Sequence, residues 1–179
     1  KINGHADSIL SRATLTANTK DGNISLKTIA TINNPYSKER ITNIYLRHLN
    51  LDKPGIELIE SFADIKKFDL TDKIGNLLMS GETEIRQDSV KGYVNIETIN
   101  GHISADINLN NEGNFKLSTI VDGINISEIA DLDETLTCSI QAEADGNIGN
   151  GKREIEFIGK ITDLQTQLHS FTPIDFKGA

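Results

Sequence analysis

The chain has a single cysteine, three prolines, no tryptophan, and only three tyrosines and six phenylalanines in 179 residues. Each scarcity excludes something. Cys138 cannot close an internal disulfide. It stands in the alternating run Leu136, Cys138, Ile140, Ala142, Ala144, which reads as a buried structural thiol, and no Cys–His–Asn/Asp grouping points to a nucleophile. Without tryptophan or a Cys…Trp…Cys framework the chain does not read as an immunoglobulin-type sandwich. Basic residues are outnumbered, 18 Lys and Arg against 26 Asp and Glu, for a net charge of -8. That balance argues against nucleic acid as a partner and against docking on anionic lipid headgroups. No apolar run nears membrane-spanning length and no signal peptide is recognisable. The chain starts at Lys1 in mid-pattern, so residues 1–179 are expected to be one elongated domain cut from a longer repeat protein, long enough to bury a core.

What the chain does have is period-two alternation. Its clearest stretch is Lys91–Ile126: Val94, Ile96 and Thr98; Ile103, Ala105, Ile107 and Leu109; Phe115, Leu117 and Thr119; then Ile124 and Ile126. Between these runs lie the turn signals Asn100-Gly101, Asn110-Asn111-Glu112-Gly113 and Asp122-Gly123. Strict alternation gives each strand one apolar and one wet face, and Asn-Gly or Asp-Gly pairs supply the positive φ angles of tight hairpins. The stretch predicts an antiparallel β-meander.

The same pattern opens the chain, with Leu15 and Ala17, the turn Lys20-Asp21-Gly22-Asn23, then Ile24, Leu26, Thr28, Ala30 and Ile32. A loop is expected at Asn33-Asn34-Pro35. Arg40–Leu51 forms a further strand, which Pro54-Gly55 stops. From Glu57 to Asn76 the period changes. Ile59, Phe62, Ala63 and Ile65 approach helical spacing, with Ser61 or Asp64 as cap, before Phe68 and Leu70 alternate again. Strands follow at Leu77–Gln87 and, after a helical turn within Ser127–Glu134, at Leu136–Ala144, Glu154–Ile161, Leu164–Leu168 and Phe171–Phe176. Short phrases recur. Ile2-Asn3-Gly4-His5 returns as Ile99-Asn100-Gly101-His102, Asp21-Gly22-Asn23-Ile24 as Glu112-Gly113-Asn114-Phe115, and His48-Leu49-Asn50-Leu51 as Gly123-Ile124-Asn125-Ile126. Degenerate repeats of this kind favour an elongated array.

Chemistry is thin. His5, His48, His102 and His169 are scattered and none has a second ligand at metal spacing, so no metal or other cofactor is predicted. The oxygen-rich stretches at 131–134 and 145–151 have no closing bidentate Glu at calcium-loop distance, and the second reads as a glycine-rich turn without a Gly-Lys-Ser/Thr phosphate loop. Carboxylate pairs have no flanking aromatics to form a sugar-cleaving cleft, and no serine sits in Gly-x-Ser-x-Gly. The acceptor triplets Asn23-Ile24-Ser25 and Asn125-Ile126-Ser127 fall on strand positions. The chain is expected not to be an enzyme, and no residue is assigned a catalytic role.

With Asn3-Gly4-His5-Ala6-Asp7, Asn50-Leu51-Asp52, Asn125-Ile126-Ser127 and the closing Phe171-Thr172-Pro173-Ile174-Asp175-Phe176-Lys177-Gly178, the chain resembles the TamB/AsmA-like translocation and assembly proteins of Bacteroides-type bacteria. Those chains repeat a unit of strand, Asp-Gly or Asn-Gly turn, strand and x-Leu-x-Leu segment. The resemblance implies an all-β fold: an elongated antiparallel meander curled into an open groove, a β-taco, with at most one or two short helical turns. A closed β-sandwich is the alternative that periodicity alone leaves open. The resemblance also implies a hydrophobic inner face lined by Ile24, Leu26, Ile103, Ile107, Leu109, Phe115, Leu117, Ile124, Ile126, Leu136, Ile140, Ile155, Phe157 and Ile161.

Function and setting follow from the same resemblance. The chain would carry phospholipid acyl chains between inner and outer membrane, or assist outer-membrane protein assembly, in the periplasm of a Gram-negative bacterium, its parent anchored in the inner membrane. Open sheet edges would pair with neighbouring segments of the same chain, and an outer-membrane β-barrel assembly protein is a further partner. Two other readings compete. One is a structural or adhesive β-module of a surface protein that binds through its polar face or loops. The other is recognition of unfolded strands by edge addition.

Overall fold

A computed structural model describes residues 1–63, 73–130, 132–149, 154–171 and 173–179, residues 60–63 by their backbone alone. One antiparallel sheet takes up most of the chain, as the alternation dictates. Its strands are β1 (Ile2–Ala6), β2 (Leu10–Asn18), β3 (Ile24–Asn33), β4 (Ile41–Leu51), β5 (Leu77–Ile85), β6 (Ser89–Thr98), β7 (Gly101–Asn110), β8 (Asn114–Asn125), β9 (Leu136–Asn147), β10 (Glu154–Thr166), β11 (Ser170–Phe171) and β12 (Ile174–Gly178). Each pairs with its neighbour in sequence from β1 to β11, and β12 also joins β10. The sheet is open. It neither closes into a barrel nor folds back as a sandwich, and its edges are β1 and the β11–β12 side. At about 4.8 Å per strand, β1 and β11 lie roughly 48 Å apart along the sheet before twist.

Two helices leave the sheet at the same rim: α1 (Lys53–Ala63) between β4 and β5, and α2 (Ile126–Ala130) between β8 and β9. This helix rim also carries the 19–23 loop, the Asn100-Gly101 turn and the 167–169 turn. At the opposite turn rim the described residues between strands form loops. α1 begins earlier than the spacing suggests. Asp52 is its cap: Oδ1 accepts the Gly55 N–H at 3.1 Å and the backbone oxygen accepts that of Ile56 at 2.9 Å, whereas Ser61 falls within the helix and Asp64 lies outside the described residues. Pro54 suits a helix start, where its missing N–H goes unused. The helical spacing expected to reach Ile65 and the alternation expected at Phe68 and Leu70 lie outside the described residues.

Three further expectations are corrected in detail. Asp122-Gly123 is a bulge inside β8, where the register against β9 slips between Val121 and Ile124 and Gly123 takes φ 60°. Glu154–Ile161 and Leu164–Leu168 are not separate strands: a single strand, β10, runs from Glu154 to Thr166 with a bulge between Ile161 and Asp163, and Gln167 and Leu168 lie in the turn after it. The closing run divides into β11 and β12 around Pro173, both against β10. There the phenylalanines stand over glycines: Phe176 covers its partner Gly159 and Phe157 covers its partner Gly178, with ring centroids 6.4 Å apart. A Cβ on either glycine would strike the ring.

The repeated phrases sort themselves. Ile2-Asn3-Gly4-His5 lies inside β1 whereas Ile99-Asn100-Gly101-His102 forms a turn, so that pair shares letters and not structure. His48-Leu49-Asn50-Leu51 and Gly123-Ile124-Asn125-Ile126 do correspond. Each follows a bulge, ends a fourth strand at the helix rim and leads into a helix.

Buried side chains are few. Among the described residues the buried apolar ones are Ile29, Leu51, Ile56 and Cys138, and none is completely enclosed. The accessible surface is 12237 Å², whereas a compact monomer of 19.6 kDa exposes about 8,600 Å². The excess is what a single sheet without a covering second layer produces.

Candidate functional site

In an antiparallel ladder, directly paired residues share a face, so the register maps both sides of the sheet. One row runs Ala17–Leu26–Leu49–Met79–Ile96–Ile103–Val121–Ile140–Ile161–Ile174. A second, toward the turn rim, runs Gly92–Ile107–Leu117–Ala144–Phe157–Gly178. Both rows lie on one apolar face that crosses the whole sheet. Every bulge returns the strand to the same face, so the alternation survives it.

The residues singled out from the sequence fall as follows. Ile24, Leu26, Ile103, Ile107, Leu109, Phe115, Leu117, Ile124, Leu136, Ile140, Ile155, Phe157 and Ile161 all sit on this face, joined by the pairs Leu109–Phe115, Ile107–Leu117 and Ile140–Ile161. Ile126 does not belong to the ladder; it is the first residue of α2 at the helix rim. Ile107, Ile155 and Phe157 are exposed, and the others are half-buried against one another. The reading from sequence passed over Leu46, Leu49, Leu51, Met79, Val90, Val94, Ile96, Cys138 and Leu164, which share the face. Alternation in β4, β5 and β6 was the signal for most of them.

Among the described residues, covering is confined to the helix rim. Gly55 of α1 lies so close to β3 that a Cβ there would sit 2.4 Å from the Asn23 carbonyl oxygen, and Ile56 is buried beside it. At the other helix, Ser127 Oγ accepts the Leu136 N–H and donates to the Glu134 carbonyl at 2.7 Å, closing α2 onto β9 above Cys138. Burial pushes the Cys138 thiol up, so it stays protonated and unreactive near neutrality. Asn100, in the β6–β7 turn, is buried as well. Its Nδ2 donates to the Lys73 carbonyl, its backbone oxygen accepts the Asn125 N–H at 2.8 Å, and Lys73 Nζ reaches the Ile129 carbonyl at 2.7 Å.

The opposite face is polar, with opposite charges set directly across strands at Glu84–Lys91, Lys116–Asp145 and Lys160–Asp175. It is not uniformly wet. Ile29 is buried beside Tyr45, whose ring lies 5.0 Å from the Arg47 guanidinium. Shallow hollows lie over this face as well. One of about 680 Å³ lies over Ile120, Gln141, Glu143 and Ile158, and one of about 660 Å³ over Glu82, Tyr93, Asp106 and Lys116. A smaller one, about 360 Å³, lies on the apolar face at β1–β3. The stretch expected as a glycine-rich turn is strand at its start: Asp145, Gly146 and Asn147 belong to β9 and pair with Glu156, Ile155 and Glu154, and just beyond them Asn147 Oδ1 accepts the Gly149 N–H at 2.9 Å and Gly149 packs on Gly113. Among the described residues no three His, Cys, Asp or Glu side chains converge as metal ligands.

No helix among the described residues is long and apolar enough to cross a membrane. No protein family, no curated protein and no solved structure matches the chain.

Proposed function

We propose that the chain is a hydrophobic groove segment of a cell-envelope protein, holding phospholipid acyl chains along the apolar face as they pass between membranes. The observation that carries this reading is the apolar face that runs from β2 to β12, buried at Leu51 and Cys138 by the helix rim, half-buried or exposed elsewhere, and without a packed second layer among the described residues. Uncovered apolar surface of this extent costs free energy at about 25 cal/mol per Å² and calls for a filler. Acyl chains fill such a face without needing polar contacts, and its polar side chains are serine and threonine hydroxyls such as Thr28, Thr83 and Thr119, without charge. The hollows over the polar face support a second reading, an adhesive or structural module that binds there.

Native mass spectrometry of the 179-residue chain, followed by lipid extraction, separates the two. Phospholipid should co-purify with the wild-type chain and be lost on Leu117→Asp, with circular dichroism unchanged. A lipid-free chain that also fails to take up phospholipid from vesicles overturns the groove. Ligand binding that survives Leu117→Asp favours the polar face.

A further inference from the structure

Basic residues are a minority in this chain, 18 against 26 acidic ones, yet three of them meet at the turn rim. Lys38, Arg40 and Arg86 line a hollow of about 570 Å³ between the β3–β4 loop and the β5–β6 turn, and no carboxylate lines it with them. The hollows over the polar face are different. One sets Lys160 and Lys177 against Glu143 and Asp175, and the other sets Lys91 and Lys116 against five carboxylates. The basic hollow lies on the apolar side of the sheet. Thr42 lines it while its neighbours Ile41 and Asn43, on the other face, do not, and Ile85, the partner of Thr42, lines it too. From there the row Thr42–Ile85–Val90–Leu109–Phe115 leads on across the apolar face. Among the described residues the Lys38 and Arg40 side chains have no hydrogen bond or ion pair. Arg86 gives its Nε–H to Glu84 at 2.7 Å, which leaves its other guanidinium N–H groups for a second acceptor.

We propose that this hollow holds the phosphate of a glycerophospholipid whose acyl chains lie along the adjoining apolar row. The proposal rests on the groove reading and adds to it where the headgroup sits. The strands of the apolar face carry no charge to meet a phosphodiester, and the loops beyond their ends supply it. Arginine forks and a lysine ammonium are the donors that a phosphate oxygen takes best. Tyr36, 89% exposed beside them, offers a ring with one apolar body and one polar tip, suited to the border between acyl chain and headgroup. Free inorganic phosphate would satisfy the cations but leave Ile85 and Tyr36 uncovered, so the lining favours the lipid over the free ion. The net charge of -8 opposes adsorption on an anionic membrane surface. It does not oppose one phosphate here, because salt screens carboxylates farther off than about 10 Å. The nearer ones, Glu84 and Asp88, act on Arg86 and leave Lys38 and Arg40 to the ligand.

Two soluble probes with the same short tails test this, dihexanoyl-phosphatidylglycerol and dihexanoylglycerol, each titrated below its micelle concentration and followed by amide chemical shifts. Both should move the Val90, Leu109 and Phe115 amides. The phospholipid should bind about tenfold more tightly, and it alone should also move Arg40 and Arg86. Lys38→Gln combined with Arg40→Gln removes two exposed, unpaired charges, so circular dichroism and melting temperature should stay unchanged. That variant should lose the tenfold preference and keep the wild-type affinity for dihexanoylglycerol. Raised salt should shrink the preference in the wild-type chain in the same way. Equal affinity for the two probes, or a preference that survives the double substitution, overturns the proposal while the groove stands. Inorganic phosphate that moves Arg40 as strongly as the phospholipid at equal concentration overturns the lipid as its source. If neither probe moves the apolar face, the groove reading itself fails and the headgroup site with it.

Discussion

The helix rim and the turn rim end the same strands, yet they are built differently. At the helix rim Leu51, Ile56, Cys138 and Asn100 are buried, two helices fold over strand ends, and Asn100 is tied to Lys73 through its side-chain amide and to Asn125 through its backbone oxygen. The turn rim has no buried residue among those described, and its turns are held by their own polar side chains. Asp7 Oδ1 accepts the Ile9 and Leu10 N–H groups at 2.8 and 2.7 Å, and Asn110 Oδ1 accepts those of Glu112 and Asn114 at 3.1 and 2.9 Å. A single sheet has no interior, so tertiary packing is concentrated where something other than a strand reaches over its face. The helix rim acts as the anchor, and the rest of the apolar face stays accessible because it contributes less to holding the fold.

The strongest test of that division compares one substitution at each place on the same face. Leu51 is 5% exposed at the helix rim. Leu51→Asp leaves a carboxylate without water or partner and should cost about 3 kcal/mol or more, enough to unfold a marginal chain. Leu117→Asp, on a half-buried position nearer the turn rim, should cost on the order of 1 kcal/mol and leave a cooperative urea transition. Equal losses at both sites would mean that the apolar face is one core rather than an anchor and an open surface.

Gly55→Ala sharpens the comparison within the anchor. The added methyl meets the Asn23 carbonyl at 2.4 Å, backbone against backbone, so α1 has to lift from β3. A cost of about 1–3 kcal/mol is expected. Amide exchange should quicken at Ile56, whose N–H bonds Asp52, and stay unchanged at Leu109 and Phe115. A variant that exchanges like wild type would show that α1 does not rely on this close approach.

Much of this architecture was legible in the letters. Alternation specified the strands and their shared face, because a residue's side of a strand depends on parity alone and antiparallel pairing carries parity from strand to strand. Two things were not legible. Asp122-Gly123 has the composition of a turn, and only pairing with β9 makes it a bulge, since a positive φ serves both. Pro54-Gly55 reads as a stop, yet it opens α1 because Asp52 is in place to cap it. Ile29 and Tyr45 contradict the pattern outright. They face the polar side, where their mutual contact and the Arg47 guanidinium take the place of an apolar layer.

Acid should separate the rims most gently. At the turn rim the Ile9 and Leu10 N–H groups hold the Asp7 carboxyl below its ordinary value, and a hydrogen bond from Arg86 does the same for Glu84. A carboxylate with a lowered folded-state pKa stabilises the fold fully above the ordinary carboxylate range and loses that contribution as pH falls through the lowered value. Below the ordinary range the β1–β2 and β5–β6 turns should therefore loosen, with amide exchange rising at Ile9, Leu10 and Arg86. All these groups are exposed, so the effect is local and not a global unfolding. At the helix rim Asp21 is also lowered, chiefly by its hydrogen bond with Thr19. There the ladder of Ile24 against Leu51 and the seat of α1 on Asn23 hold the adjoining strands whatever the turn does. Asp21 should titrate without quickening exchange at Leu26 or Leu49. If those amides open together with Leu10, the helix rim is no firmer than the turn rim and the anchor is misplaced.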